Sequence, residues 1–304
     1  MEKLPYLIES QQLSKELLFS LFKRADELRE NHEETLKGKV LATLFYEPST
    51  RTRLSFESAM LKMGGRVVST ENAKEFSSAI KGESLEDTIR VVSAYADCIV
   101  MRHYIDGSAK TAAEISPKPF INAGDGRGQH PTQALLDVYT IWREFGHLDK
   151  LNIAFVGDLA NGRTVRSLCY LLGKFAGTKV TFVSPLNLRI GEDIKEYLKK
   201  HGIEFSEDDD LAKVLPRMDI IYMTRIQKER MPLEEYEKAK GHYCINTHNL
   251  GLVKDGARIL HPLPHVEEID LPVEVEQHDK RVAYFRQAEN GLYVRMALLE
   301  HLLK

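Results

Sequence analysis

Short apolar runs alternate with helix-patterned segments along most of this 304-residue chain, and this alternation is the feature that most restricts its fold. The runs at 40–45, 97–101, 151–156, 179–183 and 219–223 fit strands buried on both faces. After the first run, helical spacing is carried by Leu54, Phe56, Ala59, Met60 and Met63. Strands that alternate with helices form parallel sheets, so the sequence predicts an α/β fold.

The chain length favours two domains over one. A single core rarely grows beyond roughly 250–300 residues, and a second series of strand and helix patterns starts just after 146–150. We therefore expect two doubly wound parallel-sheet domains, 1–146 and 147–287. A last helix at 288–304 could pack on either domain, and we expect it to pack back on the first; its apolar stripe is Leu292, Met296, Leu299 and Leu303.

Charge and hydropathy exclude several classes of protein. Lys and Arg number 42 against 45 Asp and Glu, which argues against a nucleic-acid binder with a broad basic face. No apolar run approaches the ~20 residues that span a membrane, and residues 1–5 lack a signal-peptide core, so we expect a cytoplasmic protein. Cys98, Cys169 and Cys244 fit reduced core thiols, with no disulfide framework and no metal site.

A cationic, hydroxyl-rich motif follows the first strand. Residues 45–53 read Phe-Tyr-Glu-Pro-Ser-Thr-Arg-Thr-Arg and lie where the strand gives way to a helix. The free N–H groups and positive dipole end of a helix start favour anions. Pro48 fits just ahead of a helix, Ser49 can cap it, and Arg51 can grip phosphate oxygens in a bidentate manner. Ordinary capping with solvated arginines is the alternative, but the full nine-residue string favours a phosphate site.

Two further segments of the first half follow strands. Arg102 comes after the run at 97–101 and would face the same sheet edge, although an exposed Arg at a strand end is common in general. Residues 122–133 form a glycine-rich turn that enters a helix, with His130 and Gln133 near its first turn. These side chains can donate hydrogen bonds to a carbonyl oxygen, so we favour a functional role for this turn.

The second half carries three comparable segments. Residues 157–164 match neither G-x-G-x-x-G nor a P-loop, so Arg163 suits a carboxylate better than a nucleotide. Arg225 and Gln227 follow the run at 219–223 and could grip a second carboxylate, although nearby charges are typical of a solvated surface. The His-Pro-Leu-Pro at 261–264 is either a cis-proline turn that aims carbonyls inward or a stiff loop, and proline spacing does not decide.

Together, these segments supply arginine, histidine and glutamine without a carboxylate pair, a Ser-His-Asp order or metal-ligand spacing. Such a set binds and polarises anions. It fits a transfer reaction in which an oxyanion and a phosphate leaving group are stabilised without a covalent enzyme intermediate.

Taken in order, the motifs at 49–53, 130–133 and 261–264 resemble those of the aspartate/ornithine carbamoyltransferases, and the match covers nearly the whole chain. Within that family, residues 45–48, the Pro at position 262 and the segment 223–227 resemble the aspartate-specific members. The resemblance implies carbamoyl transfer from carbamoyl phosphate to the α-amine of L-aspartate, the committed step of pyrimidine biosynthesis. It places the active site in the cleft between the two domains and requires no cofactor.

The resemblance also implies residue roles. Arg51, Thr52, Arg102 and His130 would polarise the carbamoyl carbonyl. Since no residue of the sequence stands out as a dedicated base, we expect the departing phosphate to remove the proton. The expected carbamoyl phosphate site comprises Ser49, Thr50, Arg51, Thr52, Arg102, His130, Gln133, Leu263 and Pro264. The expected aspartate site comprises Lys81, Arg163, Arg225 and Gln227. Ser77 and Lys81 are expected to reach the site of a neighbouring subunit, so the implied unit is a homotrimer.

Some positions depart from the family pattern. A second Lys often precedes the equivalent of Lys81, so either Ser77 or Ser78 could supply the shared hydroxyl. Arg166 replaces a frequent His, and His265 replaces a frequent Arg. Ala160 and Asn161 stand where Lys-Tyr is common. The sequence leaves open whether a regulatory chain binds. It also leaves an ornithine-type acceptor, disfavoured by Arg225 and Gln227, and a catalytically silent binding domain as alternatives.

Overall fold

The computed structural model describes residues 4–31, 33–226 and 243–304. The chain forms two compact units. Unit 1 comprises residues 1–139 and 288–304, and unit 2 comprises residues 140–287.

Unit 1 contains a five-stranded parallel sheet flanked by helices. Its strands are β1 (Tyr6–Leu7), β2 (Val40–Phe45), β3 (Arg66–Glu71), β4 (Cys98–His103) and β5 (Phe120–Asp125). Its helices are α1 (Lys15–Glu30), α2 (Thr50–Lys62), α3 (Ala73–Phe76), α4 (Leu85–Tyr95), α5 (Ser108–Ile115) and the first part of α6 (Pro131–Phe145). The strand order is β1-β5-β4-β2-β3.

The order of this sheet identifies where a ligand can bind. From β2 the chain moves outward to β3, and it then returns to the other side of β2 to form β4 and β5. The order therefore reverses between β2 and β4. In an open parallel sheet the crevice at the carboxyl ends of two such strands is the usual ligand site.

Local sequence signals set several boundaries in unit 1. Ser14 caps α1, since its Oγ accepts a hydrogen bond from the Leu17 N–H at 3.1 Å, and Ser84 caps α4 in the same way through Asp87. The predicted strand at 40–45 and the helix after it are confirmed. Leu54, however, is 46% exposed and does not belong to the buried face of α2.

The polar residues of segment 69–83 predict a loop, but the structure has regular elements there. β3 continues to Glu71 because its full length pairs in parallel with β2, and a short α3 and a 3₁₀ turn at Ser78–Lys81 follow. Likewise, β4 extends through Arg102 to His103, so Arg102 lies in the strand end and not beyond it. Strand pairing with distant residues, which a local pattern does not show, sets both boundaries.

Unit 2 contains a second five-stranded parallel sheet and a small two-stranded one. Its strands are β6 (Asn152–Val156), β7 (Lys179–Val183), β8 (Glu204–Asp208), β9 (Ile220–Met223), β10 (Ile245–Asn246), β11 (Arg258–Leu260) and β12 (Ile269–Asp270). Its helices include α7 (Arg163–Leu172), α8 (Glu192–Lys200), α9 (Leu211–Val214) and α10 (Val273–His278). The large sheet has the order β11-β9-β6-β7-β8, which reverses between β6 and β9.

The last helix, α11, runs over Tyr284–Leu303 and starts before the predicted 288. The division between the units falls within α6, between residues 139 and 140, and within α11, between 287 and 288. The part of α11 from 288 onward belongs to unit 1. The predicted boundary at 146–150 lies just after α6 ends.

The two-domain α/β fold with parallel sheets is confirmed. All three cysteines are buried and unpaired. Across the described ranges, no helix combines the length and apolarity needed to cross a membrane. Within the same residues, no cluster of His, Cys, Asp and Glu is arranged to hold a metal ion.

Candidate active site

The start of α2 presents the hydroxyl and guanidinium groups of the first motif at the carboxyl end of β2. Ser49 occupies the predicted N-cap position with extended backbone, but its side chain makes no capping hydrogen bond. Ser49 is nonetheless buried, whereas Thr50, the first helical residue, is exposed. A helix start whose hydroxyl does not cap it retains N–H groups for an anion.

The two arginines of this motif have different surroundings. Arg53 pairs with Glu57 at 3.3 Å and with Glu71 at 2.8 Å, so its charge is already balanced. The Arg51 guanidinium makes no ion pair with any residue that the structure describes, and partial desolvation lowers its pKa below the ordinary value. Arg51 is therefore the cation of this motif that an incoming anion would neutralise.

Three elements bring Thr52, Arg102 and His130 together. The Arg102 Nη2 donates to Thr52 Oγ1 at 3.3 Å and lies 3.0 Å from His130 Nε2, while Thr52 Oγ1 lies 3.5 Å from the same nitrogen. Arg102 is also fixed by its Nε, which donates to the Ala123 carbonyl at 2.9 Å. The pairing of β4 with β5 shifts register between residues 101 and 103, and such an irregularity re-aims the side chain at that point.

The contact with Arg102 gives His130 Nε2 the role of an acceptor. A guanidinium can only donate, so His130 Nε2 must carry a lone pair, and the ring proton is then on Nδ1. Nδ1 lies 3.4 Å from Thr132 Oγ1, which can accept that proton. The ring is 3% exposed. His130 Nε2 is thus the acceptor in this arrangement.

Gln133 lies one turn into α6, beside His130. Its backbone N–H donates to the His130 carbonyl at 3.0 Å, and its side-chain Nε2 donates to Asp137 Oδ1 at 2.9 Å. The amide oxygen accepts no hydrogen bond from the described residues. Both side chains are buried, with Asp137 completely so.

Ser77, Ser78 and Lys81 lie in the segment between β3 and α4. The Ser77 hydroxyl donates to the Ala73 carbonyl, so this hydroxyl is engaged within its own chain. Ser78 and Lys81 are exposed and lie in the 3₁₀ turn. Ser77 and Ser78 therefore remain alternatives for the shared hydroxyl.

In unit 2, the loops after β6 and β9 meet at the point where the strand order reverses. Gly157 has φ +112°, and a Cβ there would lie 2.2 Å from the Thr224 carbonyl oxygen, so only glycine permits this approach. Arg163 begins α7 after the first loop, and Arg225 follows β9 in the second; both are partly buried. Gln227 lies outside the described residues.

The His-Pro-Leu-Pro segment is a cis-proline turn, which settles the open alternative. The bond between Leu263 and Pro264 is cis, and Leu263 has φ +56°. His261 fixes the turn: its Nδ1 accepts from the Leu263 N–H at 2.7 Å, and its Nε2 lies 2.8 Å from Glu268 Oε1. The Gln287 Oε1 accepts from the His261 N–H at 2.8 Å.

Sequence reasoning missed Asp137, Glu268 and Gln287. Each is buried and bonded to a residue of a predicted motif. Burial disfavours the ionised form of Glu268, but the hydrogen bond and charge of His261 together with backbone N–H groups outweigh it, and the pKa falls below its ordinary value. Asp137 was detectable in principle, because it follows Gln133 by four residues on one helix face.

Three departures from the family pattern have partners inside unit 2. Arg166 forms a two-point ion pair with Asp193. His265 Nε2 lies 3.1 Å from Glu276 Oε1, and the Tyr284 hydroxyl donates to the same carboxylate. Asn161 donates from its backbone and side chain to the buried Asp158. These residues stabilise loops next to Arg163 and the cis-proline turn.

Both halves of the chain match models of one known protein family. Residues 6–143 match the model for the aspartate/ornithine carbamoyltransferase carbamoyl-P binding domain, and residues 149–302 match the model for the Asp/Orn binding domain of the same family. The chain belongs to the aspartate/ornithine carbamoyltransferase family. The resemblance drawn from the sequence motifs is confirmed.

Individual relatives match nearly the full length. A chloroplastic aspartate carbamoyltransferase of Arabidopsis thaliana is 55% identical, over 98% of this chain and 77% of its own. The catalytic subunit from Methanocaldococcus jannaschii is 49% identical over 98% of both chains. The aspartate transcarbamoylase of Trypanosoma cruzi in complex with carbamoyl aspartate and phosphate is 36% identical, with a TM-score of 0.93, over 99% of this chain and 97% of that one.

Proposed function

We propose that this protein is an aspartate carbamoyltransferase: it transfers the carbamoyl group of carbamoyl phosphate to the α-amine of L-aspartate, giving N-carbamoyl-L-aspartate and phosphate. This is the committed step of pyrimidine biosynthesis. One observation supports the proposal most strongly: Thr52, Arg102 and His130 contact one another where the strand order of unit 1 reverses. Arg51, next to Thr52 in the chain, adds a positive charge that no described carboxylate balances. The aspartate-named relatives support the choice of acceptor.

In this proposal residues 1–146 bind carbamoyl phosphate. The phosphate is held at the α2 start by Ser49, Thr50, Arg51 and Thr52, where N–H groups and the helix dipole add to the charge. Arg102 and His130 complete the site with Gln133, Leu263 and Pro264. Arg51, Thr52, Arg102 and His130 would polarise the carbonyl, because donors aimed at the developing oxyanion lower the barrier more than they strengthen substrate binding.

The contact between His130 Nε2 and Arg102 adds one requirement to this mechanism. To donate to the carbamoyl oxygen, Nε2 has to carry the proton, and Arg102 then turns its Nη2 from the imidazole to the substrate. Dianionic phosphate supplies the reason for that movement, since a guanidinium binds it more strongly than it binds a neutral ring. The departing phosphate would accept the proton of the aspartate amine.

We propose that residues 147–287 bind aspartate. Arg163 and Arg225 would each hold one carboxylate, helped by Gln227, with Lys81 contributed by a neighbouring subunit together with the Ser77 or Ser78 hydroxyl. The assembly is then a homotrimer. Whether a regulatory chain joins it is a separate question that a pull-down of the native complex would answer.

We also propose a cytoplasmic location, on the ground that three buried thiols stay unpaired in a reducing compartment. The plant relatives are named chloroplastic, so fractionation of the source cells is the direct test.

The activity is tested with the purified chain at saturating carbamoyl phosphate and a panel of acceptors, alongside a mass measurement of the assembly. Carbamoyl aspartate should form as the main product. Higher turnover with ornithine than with aspartate would overturn the choice of acceptor, and no transfer to any acceptor by the intact trimer would overturn the function.

A further inference from the structure

The Gln133 side chain is held in one orientation by a buried acid. Its Nε2 donates to Asp137 Oδ1 at 2.9 Å, four residues further along α6. An amide has a donor end and an acceptor end of nearly equal size, and rotation about the last side-chain torsion costs little by itself. The acid therefore decides which end of the amide is left for a ligand.

Asp137 interacts electrostatically with a buried arginine of α11. Arg295 of α11 is 3% exposed, packs over the Phe56 ring and donates to Ser55 Oγ at 2.6 Å. Burial lowers the pKa of Arg295 to about 10, and the carboxylate of Asp137 acts in the opposite direction. In the structure the Asp137 carboxylate accepts from the Gln133 Nε2–H, and a carboxylate only accepts hydrogen bonds. The Gln133 NH₂ must then face Asp137, and its Oε1 faces away.

Only one group of carbamoyl phosphate can donate a hydrogen bond to Gln133 Oε1. The carbonyl and phosphate oxygens only accept, so the carbamoyl NH₂ is the sole donor of the ionised substrate. Acetyl phosphate has a methyl group at that position and would leave Oε1 unpaired. Sites that bind a substrate N–H reject an analogue lacking it more strongly than apolar pockets reject an added group.

We propose that Asp137 is a positioning residue that fixes the Gln133 amide with its oxygen toward the substrate, and so selects a carbamoyl phosphate over an acyl phosphate. The proposal rests on the proposed function, because it takes Gln133 to be part of the carbamoyl phosphate site.

The decisive variant is Asp137→Asn, which keeps the side-chain shape but can donate to Gln133 Oε1. The amide can then turn and present its NH₂ to the substrate NH₂. The readout is selectivity, taken as the inhibition constant of acetyl phosphate divided by the KM for carbamoyl phosphate. We expect this ratio to fall about tenfold, the effect of one lost hydrogen bond to a buried acceptor.

Two further variants separate orientation from stability. Tyr139→Phe removes a buried hydrogen bond of the same helix, from the Tyr139 hydroxyl to Asp26, and should lower the Tm while leaving selectivity unchanged. The exchange Gln133→Glu with Asp137→Asn keeps one negative charge in the pair. The introduced amide can donate to one oxygen of the introduced carboxylate and leave the other oxygen as an acceptor, so selectivity should return to within about threefold of wild type.

The outcomes are distinct. Wild type that makes no carbamoyl aspartate defeats the proposed function. Active wild type with an unchanged ratio in Asp137→Asn defeats only the role of Asp137. If Asp137→Asn does not fold, the double variant Gln133→Glu with Asp137→Asn is measured instead. Low selectivity of this double variant, once folded, contradicts the proposal.

Discussion

Arg51 and Arg53 stand two residues apart in one motif, yet only one has a charge available for a ligand. Arg53 pairs with two carboxylates, whereas Arg51 has no such pair within the described ranges and has a lowered pKa. A cation that is partly desolvated and uncompensated gains most when an anion arrives. Substitution of Arg51 therefore tests the proposed phosphate site, and the same substitution of Arg53 is its control.

We predict that Arg51→Ala lowers kcat by about 10²–10³-fold, because it removes a charge-assisted contact to the carbonyl and the leaving phosphate. Arg53→Ala should keep kcat within about threefold and reduce the free energy of unfolding by up to about 1 kcal/mol, as expected for partly exposed ion pairs. Steady-state assays and chemical denaturation measure both. Near-normal turnover of the Arg51 variant would show that the phosphate binds elsewhere.

At the scale of a structural element, hydrogen bonds of His261 and Glu268 stabilise the cis-proline turn. We predict that Glu268→Ala reduces the free energy of unfolding by about 1–3 kcal/mol, because the buried His261 Nε2–H is left without its acceptor. It should also reduce kcat/KM about tenfold, because the Leu263 carbonyl is then no longer held in position for the substrate. Glu268→Gln keeps an acceptor for His261 and is the control.

The Glu268 experiment compares denaturation and turnover for both variants. Equal losses in the Ala and Gln variants would mean that the charge of Glu268, and not its hydrogen bond, supports the turn.

Helices α1 and α11 of unit 1 are joined by a second buried carboxylate. Glu300 accepts from Arg24 Nε at 2.6 Å and from Lys304 at 2.8 Å. Burial opposes ionisation of Glu300, but these hydrogen bonds prevail and lower its pKa from 4.5 to about 2. The ionised carboxylate therefore stabilises the native state above pH 4.5, and the contribution is lost as pH falls toward 2.

We predict that Glu300→Gln lowers the free energy of unfolding at pH 7 by about 2 kcal/mol, a value reduced for solvent screening. The difference from wild type should shrink as pH falls from about 5 toward 2, since protonation then removes the same charge from wild type. Glu27→Gln, which removes an exposed partner of the same Arg24, is the control and should have little effect. A difference that is constant with pH would mean that packing, not charge, is responsible.

Sequence patterns predicted the elements that are determined by residues adjacent in the chain. The strands at 40–45 and 179–183 depend on runs of adjacent residues, and the structure confirms them. The caps at Ser14 and Ser84 use the same kind of local signal. The extension of β3, the register shift beside Arg102 and the pairing of Arg53 with Glu71 depend on contacts across the sheet. No window of adjacent residues carries that information.

At the scale of the whole molecule, the motifs identified the family because each marks the carboxyl end of a strand, where the topology requires polar residues. The side chains that orient those motifs could not be found in the same way. Gln287 lies 26 residues from His261 along the chain, and Arg295 lies 240 residues from Ser55. Buried partners of this kind become visible only when the elements are packed.

The proposed homotrimer makes a prediction about mixed assemblies. If each site takes Arg51 from one subunit and Lys81 from a neighbour, then Arg51→Ala and Lys81→Gln chains are each nearly inactive alone. A trimer that contains both kinds of chain has one site with neither substitution, because each subunit meets one neighbour on each side. Random reassembly at equal amounts should therefore restore about a quarter of wild-type turnover.

The mixing experiment dissociates the two variants, reassembles them together and measures carbamoyl aspartate formation against separately reassembled controls. Recovered activity should appear only in the mixture and should rise and fall with the fraction of mixed trimers. A site completed within one subunit gives a different result, since every chain then carries a defect of its own. Activity in the mixture equal to the mean of the two variants would therefore exclude a shared site.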